Sequence, residues 1–172
     1  MKTITLKQYT LTLIAILATF TLLVSCEQTG VEPQLNAAPG GGTLSAYRAY
    51  ELKPATADNV YGRVVFWRDN ANNTLVQISL YNTTEDSAYP SGIYKGSEAV
   101  PAAKLLELYN IDGTTGEFGT SKFYVIGDKN FYESLKALDA HIRIMAGSTL
   151  VASGNVGKNT KPVASEGDPE EE

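Results

Sequence analysis

A chain of 172 residues is long enough for one domain of ordinary size and too short for two full ones. With 43% hydrophobic and 19% charged residues, it reads neither as a disordered chain nor as a multi-span membrane protein. The formal charge of −5 argues against a phosphate-backbone binder, so no nucleic-acid partner is expected. One Cys and one His exclude a disulfide framework, a multi-Cys zinc site and a His-rich metal cluster.

The chain opens as an export signal. Lys2 and Lys7 form a positive start, and no further charge follows until Glu27. Between them, Leu11 to Val24 is almost unbroken in apolar character, which suits a signal core and falls short of the ~20 residues that span a bilayer. The run closes on Leu23-Val24-Ser25-Cys26, which resembles a bacterial lipobox. A thiol at that position takes a diacylglyceryl group, and cleavage before it frees an amine for a further acyl chain. Several chains, at ~0.8 kcal/mol per buried methylene, anchor where one does not. Lipidation is therefore expected at Cys26, after removal of residues 1–25. That loss takes away two lysines and no acid, leaving the mature chain two charges more negative. The expected location is the cell envelope of a Gram-negative bacterium, on the outer membrane, with membrane lipid as one partner.

Residues 26–43 contain Pro33, Pro39 and Gly40-Gly41-Gly42 and read as a flexible tether of roughly 20–25 Å. Residues 44–157 form one domain in which the apolar period is two. Val76, Ile78 and Leu80 alternate with Gln77 and Ser79, so Thr74 to Tyr81 is a strand with one buried face. Asn59 to Arg68 pairs with it across Asp69-Asn70-Ala71-Asn72-Asn73. Leu105 to Ile111 and Phe118 to Ile126 are expected as a second pair around Asp112 to Gly116. A third hairpin joins Ala140 to Met145 with Leu150 to Val156 through Gly147-Ser148. Leu44 to Leu52 and Ile93 to Gly96 supply two short strands. A helix is expected near 130–138, with Asn130 as cap, Glu133 in the capping-box position, and Phe131, Leu135 and Leu138 on one face. The sum is an all-β, antiparallel Greek-key sandwich of about eight strands. Residues 158–172, ending in three glutamates, read as a disordered acidic tail.

Leu138-Asp139-Ala140-His141-Ile142-Arg143-Ile144-Met145 and Leu150-Val151-Ala152-Ser153-Gly154-Asn155-Val156-Gly157 together resemble the final hairpin of CHRD-domain proteins. The second stretch is also similar to the last strand of copper–zinc superoxide dismutases. Tyr89-Pro90-Ser91-Gly92-Ile93-Tyr94 matches the segment that carries paired His in CHRD-like lipoproteins, and the resemblance covers about Ala57 to Gly157. It implies a dismutase-like β-sandwich from which the metal ligands have gone. Gly92 and Tyr94 occupy the His-x-His positions, Met145 replaces the second hairpin His, and Ser153 stands where the family has Cys. His141 alone remains, and superoxide dismutation needs a redox metal held by several imidazoles. No cofactor is expected on this ground.

Two function classes follow. One is a non-catalytic binding or structural module displayed on a membrane, with a protein or glycan as its ligand. The other is a copper-binding or redox protein with a reduced site around His141 and Met145, joined by Tyr94 and Arg143 into one ligand patch. No nucleophile elbow, phosphate loop or dinucleotide fingerprint supports a catalytic assignment. The abundant Tyr, with Trp67, could line a sugar-binding face, although aromatic residues also simply favour strands. Asp86-Ser87-Ala88 matches a bacterial O-glycosylation acceptor pattern, which marks Ser87 as a candidate.

Overall fold

A computed structural model describes residues 42–99 and 103–167. The signal segment, Cys26 and nearly all of the tether lie outside the described residues. The strands are β1 (Leu44–Pro54), β2 (Tyr61–Asp69), β3 (Thr74–Tyr81), β4 (Ala88–Tyr89), β5 (Ser91–Lys95) and β6 (Lys104–Glu107). They continue as β7 (Ile111–Asp112), β8 (Tyr124–Ile126), β9 (Asp139–Ala146), β10 (Thr149–Gly157) and β11 (Ala164–Glu166). One short helix, α1 (Phe131–Ser134), runs on into a 3-10 turn at Leu135–Ala137.

All ladders are antiparallel, in the order β6-β5-β9-β10-β1-β2-β3-β8, with β11 also paired to β1. β1 is the shared strand. Its first part pairs with β2 and β11, while Lys53 and Pro54 turn to face Ser153 and Ala152 of β10. The sheet therefore curls into an all-β sandwich, closed by side chains that alternate inward. Val64 and Phe66 of β2 and Val76 and Ile78 of β3 meet Ile93 of β5 and Ala140, Ile142 and Ile144 of β9 in one buried cluster.

The two local hairpins form as their patterns require. In the first, Asp69 holds the turn: its carboxylate accepts from the Ala71 and Asn73 amides at 2.9 and 2.7 Å and from Asn73 Nδ2 at 2.8 Å. That satisfies an acid buried at the strand end and lets Asn72 take the left-handed conformation its side chain tolerates (φ 59°). In the second, Gly147 supplies the positive φ between β9 and β10.

Three expectations are corrected. The segments 105–111 and 118–126 do not form a strand pair with each other. β6 pairs with β5, β7 with β4 and β8 with β3, leaving one bridge, Ile111 to Phe118, between the two segments. Alternation marks a strand but carries no information about its partner. Asn130 makes no side-chain cap; the Asp128 carboxylate instead accepts from the Asn130 amide at 3.0 Å, and Glu133 turns outward to bind Arg68. Finally, residues 158–167 are not a free tail. Asn159 binds Asp139 and the Ala140 carbonyl, the Val163 amide donates to Ala49, and β11 covers the edge of β1. Unpaired strand edges favour such a cover.

Candidate functional site

The anticipated patch lies on the outer face of the β5-β9-β10 sheet. Ala140, Ile142 and Ile144 take the core, so His141, Arg143 and Met145 share the opposite face. His141 sits between Tyr94 of β5 and Asn155 of β10 in register. It is nonetheless only 1% exposed. The chain after β5 folds over it: the Gly96 amide donates to the Asp139 carbonyl, and the Glu98 amide donates to Asn155 Oδ1. Ser153 Oγ then donates to Glu98 at 2.9 Å. His141 Nδ1 lies 2.8 Å from the Gly96 carbonyl, which can only accept, so the ring proton sits on Nδ1.

The patch divides into two environments, one around Tyr94 and one at Met145. Tyr94 contacts the His141 ring at 5.8 Å between centroids and stands between two cations, Arg143 at 5.3 Å and Lys104 at 5.9 Å. Arg143 keeps a buried Nε without a hydrogen-bond partner. Met145 lies at the far end of the strand, half-buried opposite Leu150. Along the strand its backbone is four residues, ~13 Å, from that of His141, with Arg143 between them on the same face. The structure thus places His141 under Gly96 and Met145 opposite Leu150, and does not bring the two side chains into one shared environment. Among the described residues, no three His, Cys, Asp or Glu side chains come together as metal ligands.

Ser87 lies in the loop before β4, half-buried between exposed Asp86 and Ala88, beside a concavity of about 370 Å3 that Asn110 and Asp112 also line. A second concavity, of about 340 Å3, is bordered by Lys136, Lys158 and Lys161 with the buried Arg48. There Lys158 is paired with Asp139 at 3.1 Å. Hydrogen bonding from Asn159, then from Lys158, holds the Asp139 carboxyl below the ordinary aspartate value.

The largest of the three concavities, about 610 Å3, is an open trough on the outer face of β1, β2 and β3. Its floor is built in cross-strand rows. Tyr61 faces Tyr81; Glu51, Arg63 and Ser79 form the next row; Ala49, Val65 and Gln77 the one after. Val163, just before β11, stands at the side. The tyrosine rings stack at 5.3 Å and 28°, and remain 42% and 58% exposed. At the other end, Trp67 Nε1 donates to Gln77 Oε1 at 3.2 Å. Tyr47, Leu75 and Phe123 gather around Trp67 in a small satellite cluster.

The tyrosine count hinted at such a face, but Glu51, Arg63 and Gln77 gave no signal of their own. Register would have found them. Counting back from the Asp69–Asn73 turn sets Tyr61 opposite Tyr81 and Arg63 opposite Ser79. No family model, no curated protein and no solved structure matches this chain.

Proposed function

We propose that this chain is an exported lipoprotein, acylated at Cys26 and held on the outer membrane, whose β-sandwich serves as a non-catalytic binding module. The observation that carries this reading is Leu23-Val24-Ser25-Cys26 closing the apolar run, with the chain's only cysteine at the one position where acylation would use it. Support for a binding rather than a redox role comes from the candidate patch. The single imidazole is enclosed beneath Gly96 to Glu98 and committed to a backbone carbonyl, four strand residues away from Met145, the one thioether among the described residues. The likeness of the β9–β10 hairpin sequence to CHRD-domain proteins agrees with a sandwich retained after its metal ligands were replaced.

Intact mass of the membrane-extracted protein tests the anchor. The mature chain should begin at Cys26 and carry acyl groups, and Cys26→Ala should accumulate unprocessed precursor. A product cleaved elsewhere with a free thiol overturns the assignment. Elemental analysis tests the second half: about one copper per chain, lost on His141→Ala, would restore the redox reading.

A further inference from the structure

We infer that the trough over β1, β2 and β3 binds a neutral saccharide chain, which packs on the Tyr61–Tyr81 pair and hydrogen-bonds to Arg63, Glu51 and Gln77. This rests on the reading of the sandwich as a binding module.

The aromatic pair comes first. Two tyrosines exposed on a sheet face leave apolar ring surface in water, a state that contact with a ligand relieves. Because each ring is already stacked on the other, little side-chain freedom remains to be lost on binding. The polar groups beside them are equally ready. Glu51 and Arg63 stand opposite each other in register, yet the carboxylate's one ion pair among the described residues is to Lys53, at 4.0 Å. The Arg63 guanidinium makes no bond among the described residues. Gln77 spends its carbonyl oxygen on Trp67, which leaves its amide N–H groups for a ligand. Donors and acceptors thus alternate along the floor, as the vicinal hydroxyls of a sugar require, since each hydroxyl both gives and accepts.

Charge and backbone narrow the ligand further. The trough lining holds one acid and one base, so it offers no excess of either sign to a phosphate or a polycation. A peptide adding as a strand needs a free edge, but β2, along the middle of the trough floor, is paired on both sides, to β1 and to β3. From the tyrosine row to Gln77 the strands advance four residues, ~13 Å, which suits a chain better than a single ring. The volume lies inside the ~300–1,000 Å3 usual for small-ligand sites.

The full chain, extracted in a detergent without a sugar headgroup, is titrated calorimetrically with maltohexaose, cellohexaose and chitohexaose, and with a hexagalacturonate as the anionic comparison. Trp67, the only tryptophan, gives a parallel fluorescence signal from the end of the trough. Saturable binding of at least one neutral hexasaccharide is expected, weakened tenfold or more by Tyr81→Ala and by Arg63→Met. Leu105→Ala, on the exposed edge strand β6, should leave it unchanged. Circular dichroism melts of each variant confirm folding. Failure of all three neutral sugars to bind, preference for the hexagalacturonate, or binding that survives both trough substitutions overturns the inference. Acylation at Cys26 is read by mass on the same sample. An acylated chain that binds no sugar defeats this inference alone, and an unacylated chain that binds one defeats only the anchor.

Discussion

Ile78 and Ser79 are neighbours in sequence and opposites in environment, one fully buried between the two sheet layers, the other on the trough floor. Ile78→Ala should cost ~2–5 kcal/mol, because the rigid sheets cannot collapse onto the space left. Ser79→Ala should cost well under 1 kcal/mol, within the usual range for surface changes. Chemical denaturation of both variants reads the contrast, and equal losses would contradict the strand's orientation. A second residue-scale expectation concerns pH. With its folded value lowered by Asn159 and Lys158, Asp139 contributes stability that is present above the ordinary carboxylate range. That contribution is lost as pH falls through the lowered value. Asn159→Ala removes the largest cause, so the Asp139 carboxyl should titrate at higher pH in the variant, as followed by carbon NMR. An unchanged midpoint would contradict it. Burial at this scale was only half legible. The alternation around Ile78 and Ile142 states which side chains face inward. It does not reveal that His141, on the outward face, is covered by a loop arriving from Gly96. Nor does it reveal that Arg48, at an inward position of β1, is held by the Tyr132 carbonyl at 2.7 Å and by the Tyr132 ring.

At the scale of elements, legibility followed sequence distance. The β2–β3 and β9–β10 hairpins need only a turn and two alternating runs, all within one stretch of chain. The partners of β7 and β8 depend on contacts between segments farther apart in the chain, and no local period encodes them. Asp69 shows how much one turn residue can decide. Its carboxylate accepts three hydrogen bonds at the point where β2 reverses into β3. Asp69→Ala leaves those donors without their partner and should destabilise the fold by ~1–3 kcal/mol. Faster amide exchange concentrated at Ala71 and Asn73 would locate the loss in the turn, and protection unaltered there would argue against it.

For the whole molecule, the domain's far boundary is the point that composition hid. A short, polar segment after Gly157 has the make-up of a tail, yet Ala164 to Glu166 completes the edge of β1. A chain ending at Gly157 should therefore melt at lower temperature and self-associate, as sedimentation or size exclusion would report, whereas one ending at Gly167 should behave like the full chain. Identical behaviour of the two truncations would show that β11 contributes nothing.

Because β11 runs antiparallel to β1, the chain enters and leaves the sandwich side by side, with Gly167 packed against Ser45 and Ala46. The tyrosine pair belongs to the other end of the same strands, beyond the Leu52–Gly62 pairing and ~26 Å along β1 from Leu44. Under the proposed anchor and the proposed ligand, a pull between the two would be directed along β1. Load in that direction shears the β1–β2 and β1–β11 ladders, so their hydrogen bonds share it at once instead of opening one after another. On that reading the sandwich would resist traction along its length and be weakest to peeling from its edge strands β6 and β8.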